Sequence, residues 1–382
     1  MRTLVYLIII VSSIFFFSAA IINLDVESET LNTENYGTLF SEEGEFGEHL
    51  TADSKILMCA DGRNHPDYPW ALYDTALWPY VSDNVDIVKI YIGDLNENTD
   101  PDKVRRFVAA LKEKDIKIAL EIGGLLDWHA HKGPDAAASS FAEEYGQLKP
   151  FLELFAEDKD LDFIDLLELD CPVRRMLFPF DKKADYHTPR EAVAELMKVI
   201  RLWQEALPGA DINLITNFPV WGWQGQPAYF SVDGFESGYG QYDLVLVEVI
   251  RQADSAGLDI RGITIDNPFD YAISMAYTNQ PQLISSMDWL TRILALEEMA
   301  RRLGFEVNLI FNSELGGRSS NAMFHKHSLA FIDLYTSRGG NPDGYWLQSW
   351  YQFPDKWLPE DEPFTMTNLT REVIEKLNQQ AP

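Results

Sequence analysis

Cysteine is scarce in this chain, and several familiar chemical motifs are missing from it. The 382 residues include two cysteines, Cys59 and Cys171. Two are too few for a disulfide framework, so we expect both thiols to be reduced and buried, with a single Cys59–Cys171 bridge as the alternative. No HExxH, EF-hand or zinc-type cysteine spacing occurs, and phosphate-binding loops, Ser-His-Asp motifs and flavin signatures are also absent. The sequence therefore predicts neither a cofactor nor a metal.

Long hydrophobic runs are confined to the N-terminus. Residues 1–20 carry one Arg, an apolar run from Leu4 to Phe17 and then Ser18-Ala19-Ala20. This is the layout of a secretory signal peptide. An uncleaved anchor is the alternative, although the run is at the short end for spanning a bilayer. We expect a secreted or periplasmic protein with no membrane contact after signal cleavage.

Positive charge is the third shortage. The chain has 31 Lys and Arg against 60 Asp and Glu, a formal net charge of −29. Residues 21–54 hold nine acids and no Lys or Arg, which indicates a disordered acidic leader. Such a charge repels nucleic acids and anionic membranes, so neither is an expected partner. Residues 55–382 remain for a single folded domain, which we expect to be a monomer.

Short β-rich segments and amphipathic helical segments alternate through the rest of the chain. Alternation of this kind predicts a parallel sheet, and eight repeats predict a closed (β/α)8 TIM barrel. A doubly wound sheet is the alternative, but no glycine fingerprint follows the first strand. The eight predicted strands are 56–61, 85–93, 116–124, 163–170, 212–217, 262–267, 307–314 and 345–351.

Polar residues stand at the end of nearly every predicted strand. In barrels of this class the chemistry lies at the carboxyl ends of the strands. Buried carboxylates are energetically costly unless they are paired or functional. A ring of them therefore predicts an active site. Any one of them alone could instead cap a helix or belong to an ion pair. The strand-end residues of this ring, acids together with asparagines and one tryptophan, are Asp61, Asp94, Glu121, Glu168, Asp170, Asn217, Asp266, Asn267, Asn312, Glu314 and Trp350.

The fourth predicted strand, in the stretch DLLELDCP, carries two of these acids on one face. Strand side chains alternate, so Leu166, Glu168 and Asp170 share a face. This face either points into an active site or, if the strand lies at a sheet edge, faces water.

Two strand endings resemble those of the barrel glycoside hydrolases of the large retaining clan that includes many cellulases and β-mannanases. They are Asn312-Ser-Glu314-Leu-Gly-Gly after strand seven and Trp350 after strand eight. The resemblance implies a nucleophilic Glu314, an acid/base after strand four and a tryptophan floor under the sugar. The chain departs at strand four, where the family usually has Asn-Glu-Pro and Cys171 takes the place of the glutamate.

Cleavage of a glycosidic bond requires one carboxyl group that donates a proton and one carboxylate that attacks or activates water. We predict Glu314 as nucleophile or base and Asp170 as general acid, with Asp266 as the substitute for either. Glu168, two residues away on the same face, would raise the pKa of Asp170 by like-charge repulsion. A carbohydrate-binding barrel without catalysis and a metal-dependent hydrolase are the alternatives.

Further residues are predicted to bind an oligo- or polysaccharide. Aromatic side chains in the loops after the strands could stack on sugar rings, or they could pack the loops themselves. Basic side chains in the same loops either bind an anionic polysaccharide or neutralise the carboxylate ring. The aromatic set is Trp128, Trp221, Trp223, Tyr271 and Tyr351, and the basic set is Arg63, His129, Arg174 and Arg318.

Overall fold

Eight parallel strands pair in sequence order and close into a barrel, β8 returning to β1. The computed structural model describes residues 54–60, 68–156, 163–177, 186, 188–229, 239–275 and 288–380. The predicted (β/α)8 fold is confirmed. The strands are β1 Lys55–Ala60, β2 Ile87–Tyr91, β3 Lys117–Ile122, β4 Leu166–Asp170, β5 Asp211–Asn217, β6 Gly262–Asp266, β7 Glu306–Ile310 and β8 Gly344–Ser349.

Helices follow the strands and cover the outside of the barrel. In the described ranges they are α1 Pro79–Ser82, α2 Pro101–Glu113, α3 Ala136–Leu152, α4 Pro172–Met176, α5 Pro189–Ala206, α6 Tyr242–Ala256, α7 Phe269–Ala272, α8 Trp289–Arg302, α9 Glu314–Ser319, α10 Asn321–Ser337 and α11 Met366–Gln380.

Local chemistry explains where two of these helices begin. The side chain of Asp100 accepts a hydrogen bond from the backbone N of Asp102 at 3.0 Å, and Pro101 occupies the first position of α2. Thr188 and Glu191 form a reciprocal capping box at the start of α5. Such caps satisfy backbone N–H groups that have no partner within the helix.

The strands separate two apolar cores. Leu167 and Leu169 point outward into the large core between sheet and helices, and Leu166 points into the barrel. Strand β4 therefore alternates as predicted, and because it pairs with both β3 and β5 it is not an edge strand. The apolar part of the barrel interior comprises Leu57, Cys59, Ile87, Ala119, Leu166, Ile215, Ile310 and Trp346.

Several predicted strands are shorter in the structure, and the end of the seventh strand affects the predicted site. The seventh strand was expected over 307–314, but β7 ends at Ile310, and Glu314 is the first residue of α9. Ser313 caps that helix by accepting a hydrogen bond from the backbone N of Gly316 at 2.9 Å. Glu314 thus belongs to a helix and not to a strand end.

Several other predictions concern the cysteines and the N-terminus. Neither Cys59 nor Cys171 forms a disulfide bond, and both side chains are buried, as expected. The predicted signal peptide (1–20) lies outside the described residues, as does the predicted leader (21–54) apart from Ser54. Within the described part of the chain, no helix is long and apolar enough to cross a bilayer.

Candidate active site

A pocket of about 850 Å³ opens at the carboxyl ends of the strands. Its wall combines the ends of β2 to β6 and β8 with the segment that joins β2 to α2. Seven of the residues predicted from the sequence line it, which are Asp94, Glu121, Asp170, Arg174, Asn217, Asp266 and Trp350.

Asp170, the last residue of β4, is fixed by an arginine from the helix that follows. The Arg175 Nη2 donates to the carboxylate of Asp170, and its Nε donates to the Asp170 carbonyl at 2.8 Å. Although burial opposes ionisation, the nearby Arg175 charge lowers the pKa of Asp170 below its usual range. The expected increase in the pKa of Asp170 is therefore wrong, because an arginine and not Glu168 dominates its surroundings.

Asp266, the last residue of β6, has the opposite preference. Its side chain is buried, 6% exposed, and burial together with the charges of Asp170 and Glu121 raises its pKa to about 8. Its Oδ1 makes no hydrogen bond to any residue that the structure describes. The raised pKa favours the protonated form of Asp266 at neutral pH, and its Oδ1 has no hydrogen-bond partner in the described part of the chain.

The predicted repulsion between Glu168 and Asp170 does not arise, because Glu168 is paired inside the barrel. It lies in the closed interior of the barrel, and its Oε2 is 2.7 Å from the Nζ of Lys89. Thr264 Oγ1 donates to the Oε1 of Glu168 at 2.6 Å, and Trp346 Nε1 donates to its Oε2 at 3.0 Å. With its charge balanced and both oxygens bonded, Glu168 is a structural anchor beneath the pocket.

Glu121 connects this buried layer to the pocket floor. Its Oε2 lies 2.7 Å from the Nζ of Lys89 and accepts a hydrogen bond from Gln348 Nε2 at 3.0 Å. Gln348 also donates to the hydroxyl of Tyr91 at 3.0 Å. The floor of the pocket is thus a bonded network whose geometry is set by the barrel interior.

Cys171 forms the turn that leads to Arg174 and Arg175. Its backbone is left-handed, with φ of 51°, a conformation that residues other than glycine seldom adopt. Its backbone N donates to the carbonyl of Ile215 on β5 at 3.0 Å. The turn leads directly from Asp170 into α4, so that Arg174 and Arg175 lie over the strand end. Backbone strain of this kind is common at functional sites.

Glu314 belongs to a neighbouring cluster and does not line the pocket that holds Asp170. Its carboxylate accepts hydrogen bonds from Tyr271 Oη at 2.6 Å and from Arg318 Nε at 2.9 Å. The Arg318 guanidinium lies over the ring of Tyr351, 5.3 Å from its centroid. Tyr351 in turn stacks on Trp350, with ring centroids 6.2 Å apart. These side chains support the pocket wall at Trp350.

Two tryptophans that were predicted to stack on sugar rings, Trp221 and Trp223, are buried. Trp221 and Trp223 are 2% and 3% exposed. Trp221 packs against Tyr239 and Tyr242, with centroids 5.6 and 5.5 Å apart, and Trp223 packs against Phe218 at 5.6 Å. The prediction that these rings bind sugar is corrected, because both side chains are buried among other aromatic side chains and leave almost no surface for a ligand.

The remaining predicted residues that the structure describes do not line the pocket. Trp128 is 51% exposed, and both it and His129 bond to Glu143 on α3, at 3.1 and 2.9 Å. Asn267 and Asn312 are fully buried, and the Asn312 side chain contacts Asp266. Asp61 and Arg63 lie outside the described residues.

The sequence-based prediction missed Lys89 and gave Arg175 no role of its own. A signal for Lys89 was present, because a lysine inside the apolar strand IVKIY requires a buried partner. Nothing local indicates that Arg175, and not Arg174, bonds to Asp170. Among the described residues, no group of three or more His, Cys, Asp or Glu side chains is arranged to hold a metal ion.

The fold and the position of the pocket define this protein as a (β/α)8 barrel with a candidate active site at the usual end. No protein-family model matches the chain, and no curated protein sequence is detectably similar to it. Many solved structures share the fold.

A GH5_18 protein from Streptomyces cattleya, crystallised with GlcNAc, has a TM-score of 0.52 at 12% identity, covering 86% of this chain and 82% of that one. A GH10 endoxylanase from a sugarcane soil metagenome has a TM-score of 0.45 at 8% identity, covering 84% and 97%. D-Psicose 3-epimerase from Clostridium cellulolyticum H10 has 0.44 at 11%, covering 86% and 99%. At 12% identity, the likeness to the Streptomyces cattleya protein shows a shared fold and nothing of function.

Proposed function

We propose that this protein is a glycoside hydrolase that cleaves an oligo- or polysaccharide in the pocket at the carboxyl end of the barrel. The observation that carries the proposal is that Asp170 and Asp266 line one pocket with opposite preferences for a proton. Two carboxyl groups whose pKa values are pushed apart by their surroundings are the pattern that assigns acid and base roles in glycosidases.

Asp266 is the proton donor in this proposal. Its proton passes to the glycosidic oxygen, and the bond between that oxygen and the anomeric carbon breaks. Asp170 is the ionised partner, which attacks the anomeric carbon or takes a proton from the attacking water. Arg175 positions the Asp170 carboxylate, and Trp350 offers a ring face to the sugar. Asp266, which the sequence offered only as a substitute, replaces Glu314 in the catalytic pair.

The decisive experiment measures reducing-sugar release on a broad panel of polysaccharides with the wild type and three isosteric variants. We expect Asp170→Asn and Asp266→Asn each to lower turnover by about 10³-fold or more, since general acid–base catalysis alone contributes 10²–10⁴-fold. Glu314→Gln should keep turnover within about tenfold of the wild type, because Glu314 does not line the pocket. Circular dichroism and thermal melting check that each variant is folded.

Other results would favour the alternatives. If Glu314→Gln is inactive and Asp266→Asn is active, the pair that the sequence indicated is the correct one. Binding of sugars without cleavage would identify a carbohydrate-binding barrel. Loss of activity in a chelator, restored by a divalent cation, would identify a metal-dependent hydrolase.

The N-terminal sequence supports a secreted or periplasmic location as part of the same proposal. Expression of the full chain in a bacterial host, followed by fractionation and N-terminal sequencing of the mature protein, tests it. We expect cleavage close to Ala20; retention of an intact N-terminus in the membrane fraction would indicate an anchor instead.

A further inference from the structure

Arg174 is a pocket cation that forms no ion pair within the part of the chain that the structure describes. It belongs to the short helix α4 and lines the pocket beside Asp170 and Cys171. Its Nε is sealed from solvent and has no hydrogen-bond partner among the described residues, although its guanidinium group contacts Tyr239. Burial opposes its charge, but the neighbouring Cys171, Tyr239 and Asp170 raise the pKa of Arg174, so the guanidinium stays charged. A charged guanidinium at a pocket wall without a bonded carboxylate can bind an anion.

Two neighbouring cations are already paired. Lys89, beneath the pocket, lies 2.7 Å from Glu121 and 2.7 Å from Glu168. Arg175 donates to both the carboxylate and the carbonyl of Asp170. These pairs offset part of the negative charge at the pocket floor, and burial raises the pKa of Asp266 to about 8, which favours its neutral form. Repulsion of an anionic group is therefore reduced beside Arg174, although Asp94 and Asp100 line the same pocket and the chain as a whole carries a charge of −29.

We propose that Arg174 binds an anionic substituent of the substrate, so that the protein acts on an acidic polysaccharide. The planar guanidinium, with its fixed fork of donors, matches the oxygens of a carboxylate or a sulfate ester. This inference rests on the proposed function, because it takes the pocket as the site of the sugar. It deepens that function by naming the substrate class and the side chain that selects it.

Binding is tested in the Asp266→Asn background, which blocks turnover while leaving the pair of Arg175 and Asp170 intact. The probes are uronic acid oligomers of two to four units, each compared with its carboxyl-reduced counterpart, and sulfated oligosaccharides, each compared with its desulfated form. Isothermal titration calorimetry measures the Kd of both members of each pair. We expect one anionic series to bind about 10- to 150-fold more tightly than its neutral form, the range for hydrogen bonds to a charged group. The series that shows this preference distinguishes carboxylate from sulfate.

Substitution of Arg174 should remove that preference. With Arg174→Gln added, the anionic and neutral probes should bind within about threefold of each other, and Arg174→Lys should retain part of the difference because it keeps the charge but loses the fork. Lys103→Gln is the matched control, since it removes one positive charge from the same pocket wall. It should change the preference by no more than about threefold. Thermal melting confirms that each variant is folded.

The inference fails if neutral and anionic probes bind equally, or if Lys103→Gln removes the preference as fully as Arg174→Gln. These outcomes are separate from failure of the proposed function. A wild-type protein that cleaves neutral and acidic oligosaccharides equally well is a glycosidase without an anion subsite. A protein that binds acidic oligosaccharides through Arg174 but cleaves none has the subsite without the reaction.

Discussion

The Nζ of Lys89 lies 2.7 Å from the Oε2 of Glu168, in a part of the barrel that solvent does not reach. The same ammonium group lies 2.7 Å from Glu121, which lines the pocket. Although burial opposes its charge, these two carboxylates hold the pKa of Lys89 above its usual range. One buried lysine thus couples the stability of the barrel to the geometry of the pocket floor.

Replacement of this lysine should be among the most damaging single changes in the protein. Lys89→Met removes the cation and leaves Glu121 and Glu168 as uncompensated carboxylates. Breaking a buried pair in this way costs about 3–5 kcal/mol. We expect the free energy of unfolding, measured by urea denaturation at pH 7, to fall by about that amount.

A surface pair provides the control. Lys114 lies 2.6 Å from Asp83 at an exposed position, where ion pairs contribute at most about 1 kcal/mol. Lys114→Met should therefore change the stability little. Equal losses in the free energy of unfolding for the two variants would mean that burial does not make the ion pairs of Lys89 stronger than an exposed pair.

Arg175 should set the acidic limit of activity. Because its charge lowers the pKa of Asp170, Arg175→Gln should raise that pKa and leave Asp170 protonated over a wider range of acidic pH. The acidic limb of the kcat/KM profile should move to higher pH. The rate at the optimum should fall because Asp170 loses both contacts with Arg175, one at its carboxylate and one at its carbonyl. A variant with a lower rate but an unchanged acidic limb would show that Arg175 acts only on structure.

The raised pKa of Asp266 should appear in the stability of the protein. An unfolded aspartate releases its proton near pH 3.9, whereas Asp266 in the folded state keeps it until about pH 8. Between these values the native state binds more protons than the unfolded state. The contribution of this group to stability therefore falls as pH rises, by about 1.4 kcal/mol per pH unit.

Comparison with Asp266→Asn isolates this contribution, since the amide does not titrate. Urea denaturation at intervals from pH 5 to pH 9 should show the wild type losing stability relative to the variant up to about pH 8, and a constant difference above it. Parallel curves across the whole range would contradict a raised pKa at Asp266.

The periodic spacing of apolar residues was sufficient to predict the fold, because the pattern that distinguishes strands from helices depends on which residues are buried locally. It could also identify most of the residues near the pocket, since strand ends meet at one rim of a barrel. It could not assign charge states. The state of Asp170 depends on Arg175, five residues further on in a helix, and the neutralisation of Glu168 depends on Lys89, which lies 79 residues away in sequence.

Aromatic residues show the same limit. The loop after β5 and the end of β8 both carry tryptophans that composition alone makes equally suitable for sugars. Three-dimensional packing separates them, because Trp221 is enclosed by Tyr239 and Tyr242 whereas Trp350 lines the pocket. Nothing in the spacing of these residues along the chain contains that information.

Trp350 and Trp221 should therefore respond to truncation in opposite ways. Trp350→Ala removes a ring face from the pocket, and we expect KM for an oligosaccharide substrate to rise by about tenfold or more with a modest change in stability, since stacking on an aromatic ring contributes about 1 kcal/mol or more beyond area burial. Trp221→Ala opens a cavity in a packed aromatic cluster and should lower the free energy of unfolding by about 3–5 kcal/mol. At a temperature where the Trp221 variant stays folded, its KM should remain near the wild-type value. A large increase in KM for that variant, with stability unchanged, would restore Trp221 as a sugar-binding residue and would mean that its loop opens to admit substrate.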